Sequence, residues 1–325
     1  MSLKNMIMAA AAGAASSGSD GTKWTTQSSF TTAFGSTNAA QAIAWNGSKF
    51  VAVGNGGSGG GKCATSPDGV TWAGNSGLST IFGAYQDVNA IAWDGSKFVA
   101  GGGSGKCATS PDGVNWTAQS SFTTAFGSGT PCAIAWDGSK FVAVGASGKC
   151  ATTPDGVTWT AQSSFTTAFG SANYAYAIAW NGSKFVVIGT LGACATSTDG
   201  VTWASQSGFA TAFGTTGGRS IAWNGSKFVA LGNSFNKCAT SPDGITWTLQ
   251  SGFPSTDSFA LVWTGSIFVS VGSMGTCATS PDGVNWTAQS SFTTAFGSTN
   301  AAQAIAWNGS KLVAVGDSGA CATSP

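Results

Sequence analysis

A motif of about 44 residues recurs seven times along the 325-residue chain, and this repetition constrains the fold more than any other feature. Each copy carries two tryptophans, one at the end of a short apolar segment and one after an Asp-Gly turn, which together account for all 14 tryptophans. Seven of the eight cysteines recur with the same period. Repeats of this length are typical of propellers and solenoids, in which neighbouring copies bury each other's apolar surface.

Each copy predicts four short antiparallel strands, which we term A to D. Asn46-Gly47 favours a tight hairpin between strands A and B, and Pro67-Asp68-Gly69 favours a turn between strands C and D. In the first complete copy strands A to C are predicted at residues 42–45, 49–54 and 63–66, and strand D is predicted to open with residues 70–72. The predicted fold class is therefore all-β, a seven-bladed β-propeller of four-stranded antiparallel blades.

The two ends of the chain carry complementary parts of one blade. The last copy stops at CATSP, residues 321–325, a strand C with no strand D after it. Residues 20–24, DGTKW, provide a turn and a strand D with no strands A to C before them. We predict that the N-terminal outer strand closes the ring as three strands plus one, which leaves no open edge. A solenoid is the alternative, but it would need atypical terminal repeats, and none is visible.

The propeller domain is thus predicted to span residues 20–325, and residues 1–19 lie outside it. We predict that this N-terminal segment is a short helix or arm that attaches the protein to another molecule. A signal peptide is the alternative, because one lysine precedes an alanine-rich apolar run and small residues. No segment approaches the ~20 apolar residues that cross a bilayer, so no membrane partner is expected.

Charged residues are scarce and argue against several functions. The chain has 12 Asp, 12 Lys and the single arginine Arg219, without Glu or His, and its net charge is +1. Because no basic stripe is present to neutralise phosphates, a nucleic-acid partner is not expected. General acid–base catalysis would have to use Asp, Lys, Tyr or Cys. We predict no catalytic residue and no cofactor.

The polar residues that recur have structural explanations. One aspartate per copy occupies the C–D turn, where its carboxylate is expected to accept backbone N–H bonds. These are Asp20, Asp68, Asp112, Asp155, Asp199, Asp243 and Asp282. A metal site is not expected, because potential ligands are scattered around a ring without histidine. Strict recurrence likewise favours packing of the tryptophans between blades over a role as sugar-binding platforms.

The recurring cysteines are predicted to be small buried apolar residues. Equivalent positions on neighbouring blades should lie roughly 10 Å apart, as packed sheets do. A disulfide requires Cα atoms within about 7 Å of each other. No disulfide is therefore predicted.

The copies differ mainly on one face of the predicted ring. Antiparallel geometry places the nearly constant A–B and C–D turns on one face, the turn face, and the B–C and D–A loops on the other, the variable face. Polar and aromatic residues of the variable face are our candidate ligand-binding residues: Gln41, Tyr85, Gln86, Asp87, Asn89, Tyr174, Tyr176, Arg219, Asp257 and Gln303. Such a surface suits neutral, hydroxyl-rich ligands better than charged ones.

The hairpin S-P-D-G-V-T-W at residues 66–72 resembles the Asp-box of sialidase-like propellers, S-x-D-x-G-x-T-W, with one residue missing between Asp and Gly. Over residues 20–325 the full repeat resembles those of bacterial surface proteins and phage tail or fibre proteins. MSLKNMIMAAAAGAA is similar to the start of structural proteins of marine tailed phages. These resemblances imply a virion-associated propeller. Sialidase activity would require an arginine cluster, and the chain has only Arg219.

The predicted function is a non-enzymatic binding propeller of a virion or tail fibre, extracellular after release, which recognises a host-surface glycan or protein. Residues 1–19 would contact other virion proteins or order a homo-oligomer. The alternatives are a ligand-free structural or decoration domain of the virion and a secreted bacterial lectin. A polysaccharide-degrading enzyme would need clustered aspartates on the variable face, where only Asp87, Asp257 and Asp317 lie outside the repeated turns.

Overall fold

The fold is taken from a computed structural model that describes residues 20–232, 237–254 and 257–325. Within these residues, 28 strands form seven antiparallel sheets of four strands each. Each strand A packs against the strands A of both neighbouring blades, and the last contacts the first, so the seven strands surround a common axis. The chain is a seven-bladed β-propeller, as the repeats predict. The predicted N-terminal arm, residues 1–19, lies outside the described residues.

The blades are numbered one to seven in the order of their strands A. Blades one and two contain β2 (Ala40–Trp45), β3 (Phe50–Gly54), β4 (Lys62–Ser66), β5 (Ala73–Asn75), β6 (Val88–Trp93), β7 (Phe98–Gly102), β8 (Lys106–Ser110) and β9 (Thr117–Ala118). Blades three and four contain β10 (Pro131–Trp136), β11 (Phe141–Gly145), β12 (Cys150–Thr153), β13 (Thr160–Ala161), β14 (Ala175–Trp180), β15 (Phe185–Gly189), β16 (Cys194–Ser197) and β17 (Ala204–Ser205). Blades five and six contain β18 (Gly218–Trp223), β19 (Phe228–Gly232), β20 (Cys238–Ser241), β21 (Thr248–Gln250), β22 (Ser258–Trp263), β23 (Phe268–Gly272), β24 (Cys277–Ser280) and β25 (Thr287–Ala288).

Blade seven combines strands from both ends of the chain. Its four strands are β26 (Ala302–Trp307), β27 (Leu312–Gly316), β28 (Cys321–Ser324) and β1 (Thr25–Thr26). The outer strand pairs Thr25 with Thr323 and Thr26 with Ala322. The Gln27 amide donates to the Thr323 hydroxyl at 2.7 Å, and Gln119 makes the equivalent bond within blade two at 2.8 Å. The joint in blade seven, where β1 pairs with β28, therefore has the same Gln–Thr hydrogen bond as a blade built from one continuous segment.

The core lies between blades and is built from strand B and the tryptophans. The five residues of each strand B are all buried, as expected for a sheet enclosed by two others. Trp72, which precedes strand D of blade one, is 6% exposed and packs with Ala304 and Val313 of blade seven. Its ring also meets Phe30 edge-on, at 4.8 Å between centroids. The predicted packing of tryptophans between blades is confirmed.

Short helices replace the predicted D–A loops at six places in the described chain. They are α1 (Ser28–Phe34), α2 (Ser79–Phe82), α3 (Ser120–Phe126), α4 (Ser163–Phe169), α5 (Ser207–Phe213) and α6 (Ser290–Phe296). In α1, Phe30 and Phe34 lie one turn apart, are both buried, and stack at 5.0 Å. Ser and Thr are weak helix formers, so the packing of two phenylalanines decides the conformation. None of the described helices is long and apolar enough to cross a bilayer.

Hydrogen bonds within and between turns order the turn face. The Asp68 carboxylate accepts backbone N–H bonds from Val70 and Thr71, both at 2.8 Å, and the other complete C–D turns repeat this arrangement. In the N-terminal turn, Asp20 accepts the backbone N–H of Thr22 at 2.9 Å. Three lysines after A–B turns donate to the carbonyl of the C–D aspartate in the next blade, as Lys311 does to Asp68 at 2.9 Å. The two sets of turns therefore share one face.

The eight cysteines, all within the described residues, are thiols. The seven that recur are buried in strands C, as predicted for small apolar residues. Burial raises the pKa of Cys63 to about 12 and that of Cys238 to about 12, because a thiolate there would be desolvated. Cys132, in strand A of blade three, is half-buried.

Candidate functional site

A β-bulge interrupts the pairing of strands A and B at the same place in every blade. In blade one, Ala40 pairs with Gly54 and Ala42 pairs with Val53, which leaves Gln41 between them unpaired in the ladder. A bulge re-aims the side chain of the extra residue, and bulges are common beside functional sites. The seven bulged residues, which we call the bulge ring, are Gln41, Asn89, Cys132, Tyr176, Arg219, Phe259 and Gln303.

All seven bulge-ring residues line one cavity of about 320 Å³ on the propeller axis, the axial cavity. Asp87, Thr130 and Tyr174 complete its lining. Each bulged side chain is half-buried, and the residues on either side of it in the strand are buried. The volume falls within the range that small-ligand sites occupy.

An apolar layer closes the axis beneath the bulge ring. Two residues after each bulge, strand A carries Ile43, Ile91, Ile134, Ile178, Ile221, Leu261 or Ile305, each only 1–3% exposed. Four of these, from blades four to seven, line a small cavity together with the ring residues Tyr176, Arg219 and Phe259. Because solvent scarcely reaches this layer, it separates the axial cavity from the turn face.

One half of the axial cavity is an aromatic stack that contains the arginine. The rings of Tyr174 and Tyr176 lie 6.1 Å apart at 27°. The Arg219 guanidinium carbon lies 4.7 Å from the Tyr176 ring centroid and 5.5 Å from that of Phe259. Both distances are within the range of cation–π attraction. Blades four, five and six therefore present a cation held between two rings.

The other half carries amides and a carboxylate. Gln303, Gln41 and Asn89 come from blades seven, one and two, and the Gln303 amide donates to Asp317 at 3.2 Å. Asp87 is the single carboxylate among the lining residues. In the described ranges 20–232, 237–254 and 257–325, no group of three or more His, Cys, Asp or Glu is arranged to hold a metal.

Backbone hydrogen bonds fix the loops that surround the bulge ring. In six blades, the first residue after strand B donates to the carbonyl of the residue two positions before the bulge, at 2.8–3.2 Å. The accepting residues are Ala39, Asp87, Thr130, Tyr174, Asp257 and Ala301. The B–C loops and the ends of the D–A loops therefore share one face, and in these six blades a backbone hydrogen bond holds the segment that precedes the bulge.

Seven of the ten candidate residues line the axial cavity, namely Gln41, Asp87, Asn89, Tyr174, Tyr176, Arg219 and Gln303. Tyr85, Gln86 and Asp257 are not part of its lining. Tyr85 is 76% exposed at a φ of 57°, and Gln86 accepts a hydrogen bond from Ser104 at 3.0 Å.

The prediction missed Thr130, Cys132 and Phe259. The last two could have been found from the sequence, because the bulge always falls four residues before the tryptophan of strand A. That position reads Q, N, C, Y, R, F and Q, and it is followed by alanine in every blade except one, which has serine. The candidate list included tyrosine as its only aromatic type and no cysteine, so it left out both residues.

Neither a family model nor a curated protein matches the sequence of this chain. Its fold is similar to that of solved propellers. "YCF48 bound to D1 peptide" aligns with a TM-score of 0.71 at 15% identity, over 93% of this chain and 96% of that one. YCF48 from Cyanidioschyzon merolae aligns with a TM-score of 0.66 at 14% identity, over 93% and 98%. The WD40 propeller domain of Doa1 gives 0.63 at 10% identity, over 89% and 93%. At these identities the likeness shows the propeller fold alone.

Proposed function

We propose that the chain is a non-enzymatic binding propeller whose ligand enters the axial cavity from the variable face. The observation that carries the proposal is the bulge ring. The most variable strand residue of each of the seven blades lies at the bulge, and the seven bulged residues surround the axis and line a single cavity. A strand position that differs in nearly every blade and lines one cavity is expected of a recognition site, whereas a framework position would repeat as the turns do.

The chemistry of the lining supports binding rather than catalysis. Asp87 is the only carboxylate in the lining, and the chain contains no histidine or glutamate. Acid–base cleavage of a glycosidic bond uses a pair of carboxylates on either side of that bond. The second aspartate near the site, Asp317, accepts a hydrogen bond from Gln303. The aromatic and amide side chains of the cavity are, by contrast, common in ligand sites.

The proposed ligand is a host-surface glycan or protein, and the proposed setting is a virus particle or its tail fibre. The resemblance of the repeats and of the first residues to phage structural proteins supports this setting. YCF48, a propeller of similar fold, is described as bound to a D1 peptide, which supports a peptide or protein as the ligand. Residues 1–19 would attach the propeller to other virion proteins. A ligand-free decoration domain and a secreted lectin are the competing proposals.

Binding of the purified protein to a glycan array and to candidate host cells tests this function. The double variant Tyr174→Ala/Tyr176→Ala should weaken attachment at least about tenfold, because aromatic residues at the centre of a binding site commonly contribute ~2 kcal/mol or more. Tyr174 is exposed and Tyr176 is only half-buried, so the fold should be retained. Tyr85→Ala is the matched control, since Tyr85 shares this face but lies outside the axial cavity.

Equal losses in the double variant and in Tyr85→Ala would place the ligand outside the axial cavity. No signal on any glycan or cell would favour the ligand-free structural domain. Cleavage of a bound polysaccharide would contradict the non-enzymatic proposal.

A further inference from the structure

The only arginine of the chain lies in the axial cavity, where none of the described carboxylates forms an ion pair with it. The ion pairs among the described residues join Lys97 to Asp94 and Lys140 to Asp137, both in A–B turns, and none involves Arg219. Its guanidinium also donates no hydrogen bond to any residue in the described ranges. Its guanidinium carbon lies over the rings of Tyr176 and Phe259, and its N–H groups remain available as donors to a ligand. This planar fork matches a carboxylate, with which arginine forms two parallel hydrogen bonds.

The opposite wall of the axial cavity suits hydroxyl groups. Gln41, Asn89 and Gln303 each present an amide, which both donates and accepts hydrogen bonds. The Asp87 carboxylate can accept hydrogen bonds from the hydroxyl groups of a ligand, and it repels a carboxylate of that ligand. It precedes strand A of blade two, across the axis from Arg219 in blade five. The cavity is therefore polarised, with a carboxylate-binding end and a hydroxyl-binding end.

The aromatic stack provides a flat apolar surface between these two ends. Tyr174 is 47% exposed and continues the stack from Tyr176 toward solvent. Pyranose rings combine an apolar face with hydroxyls at the edge, and the cavity of about 320 Å³ is of a size to hold one. A neutral sugar would leave Arg219 unpaired, whereas a sugar with one carboxylate would pair it.

We propose that the axial cavity binds an acidic sugar, a pyranose with one carboxylate that pairs with Arg219. This inference rests on the proposed binding function and specifies its ligand class. It replaces the expectation, drawn from the overall composition of the variable face, that neutral ligands are preferred. That expectation weighted all the loops equally, and the single arginine falls inside the cavity.

Cys132 provides an internal reporter for occupancy of the axial cavity. It is half-buried in the lining, whereas the other seven cysteines are buried. A thiolate is the reactive form, so thiols with a raised pKa inside the core should stay unmodified at about pH 8. Iodoacetamide should therefore modify Cys132 first, and a ligand in the cavity should slow the reaction.

We expect D-glucuronic acid to slow the modification of Cys132 saturably, and D-glucose at the same concentration to have no effect. Arg219→Gln should weaken the protection by glucuronic acid at least about tenfold, because it removes a charge-assisted hydrogen-bond pair. Arg219→Lys should retain part of the protection, since it keeps the charge but not the fork. Lys62→Gln, which removes a charge outside the axial cavity, is the matched control. Titration calorimetry of the unmodified protein gives the same affinities without relying on Cys132.

Equal protection by glucose and glucuronic acid, or unchanged protection in Arg219→Gln, overturns the acidic assignment. Protection by a tripeptide with a free carboxyl terminus, but by neither glucuronic acid nor N-acetylneuraminic acid, overturns the assignment to sugars. The assignment to acidic sugars is also overturned if no acidic sugar binds while attachment to glycans or cells still depends on Tyr174 and Tyr176. Loss of that attachment altogether contradicts the proposed function instead.

Discussion

At the scale of single residues, the aspartates of the C–D turns accept hydrogen bonds from neighbouring residues of the same turn. In the turn after strand C of blade three, the Asp155 carboxylate accepts the Thr153 hydroxyl at 2.7 Å and the N–H groups of Val157 and Thr158 at 2.8 Å. The hydrogen bond from the Thr153 hydroxyl is the largest influence on the pKa of Asp155, and it lowers that pKa. Slight burial raises the pKa, the backbone hydrogen bonds lower it further, and the result is a pKa of about 2. In the equivalent turns, burial is the largest influence and raises the pKa, but the combined hydrogen bonds outweigh it and lower the pKa of Asp68, Asp112, Asp199, Asp243 and Asp282.

These shifts predict how stability depends on pH. The ordinary pKa of an aspartate in an unfolded chain is about 3.9, and the folded values are lower, so the unfolded chain binds protons first as the pH falls. The stabilisation is complete above about pH 5 and should be lost as the pH falls from about 4 through 2. The urea midpoint should therefore stay level from about pH 7 to 5 and decline below about pH 4.

Asp155→Asn provides the control for this pH dependence, because it keeps an acceptor oxygen but does not titrate. Its midpoint should fall less steeply with acid than that of the unmodified chain. A midpoint that declined between about pH 7 and 5, or rose below about pH 4, would contradict the role of the turn carboxylates.

At the scale of the structural element, each C–D turn also packs against the preceding blade. The turn glycine of blade two, Gly113, has a φ of 75°, and a Cβ at this position would lie 2.5 Å from a methyl of Val51 in blade one. Gly138, in the A–B turn of blade three, has a φ of 101° with nothing within 4 Å of the same point. Both glycines are required by the backbone, but only Gly113 is also required by packing between blades.

Gly113→Ala and Gly138→Ala therefore separate these two requirements. Gly138→Ala should lower the free energy of unfolding by about 1–2 kcal/mol through backbone strain alone. Gly113→Ala should cost a further ~1–3 kcal/mol, because the added methyl crowds Val51. Urea unfolding of the two variants measures the difference. Equal losses would mean that the turn does not pack tightly against the preceding blade.

At the scale of the whole molecule, stability depends on the joint in blade seven. Trp24 is 8% exposed and meets Phe292 of helix α6 edge-on, at 4.7 Å between ring centroids. With Thr25 and Thr26 paired to β28, this short segment completes blade seven as its fourth strand. The first described residues therefore connect the two ends of the chain within one sheet.

A pair of truncations tests this joint. Removal of residues 1–19 should leave the melting temperature unchanged, because blade seven begins at the turn that starts with Asp20. Removal of residues 1–27 should lower the free energy of unfolding by at least about 3 kcal/mol, since it deletes the buried Trp24 and the strand-pairing residues after it. The second truncation should also promote self-association through the exposed edge of β28. Equal stability of the two truncated chains, measured by calorimetry, would contradict this account.

The number of blades, their turns and the variable face could all be predicted from the sequence. Asn-Gly and Pro-Asp-Gly turns depend on residues next to one another, and seven copies of one pattern repeat the same information. The helices could not be predicted in this way, because SSFTTAF has little helix propensity of its own. They form because Phe30 and its counterparts pack against tryptophans of the following blade, a contact between residues far apart in the chain.

The sequence alone therefore determined the ring and the face on which its copies differ, because both follow from local patterns. Only the tertiary structure decided which variable residues meet. A bulge is a property of how two strands pair, and convergence on the axis is a property of seven blades packed together. These two properties place Cys132 and Phe259 in the axial cavity, leave Tyr85 outside it, and hold Arg219 between two rings contributed by its neighbouring blades.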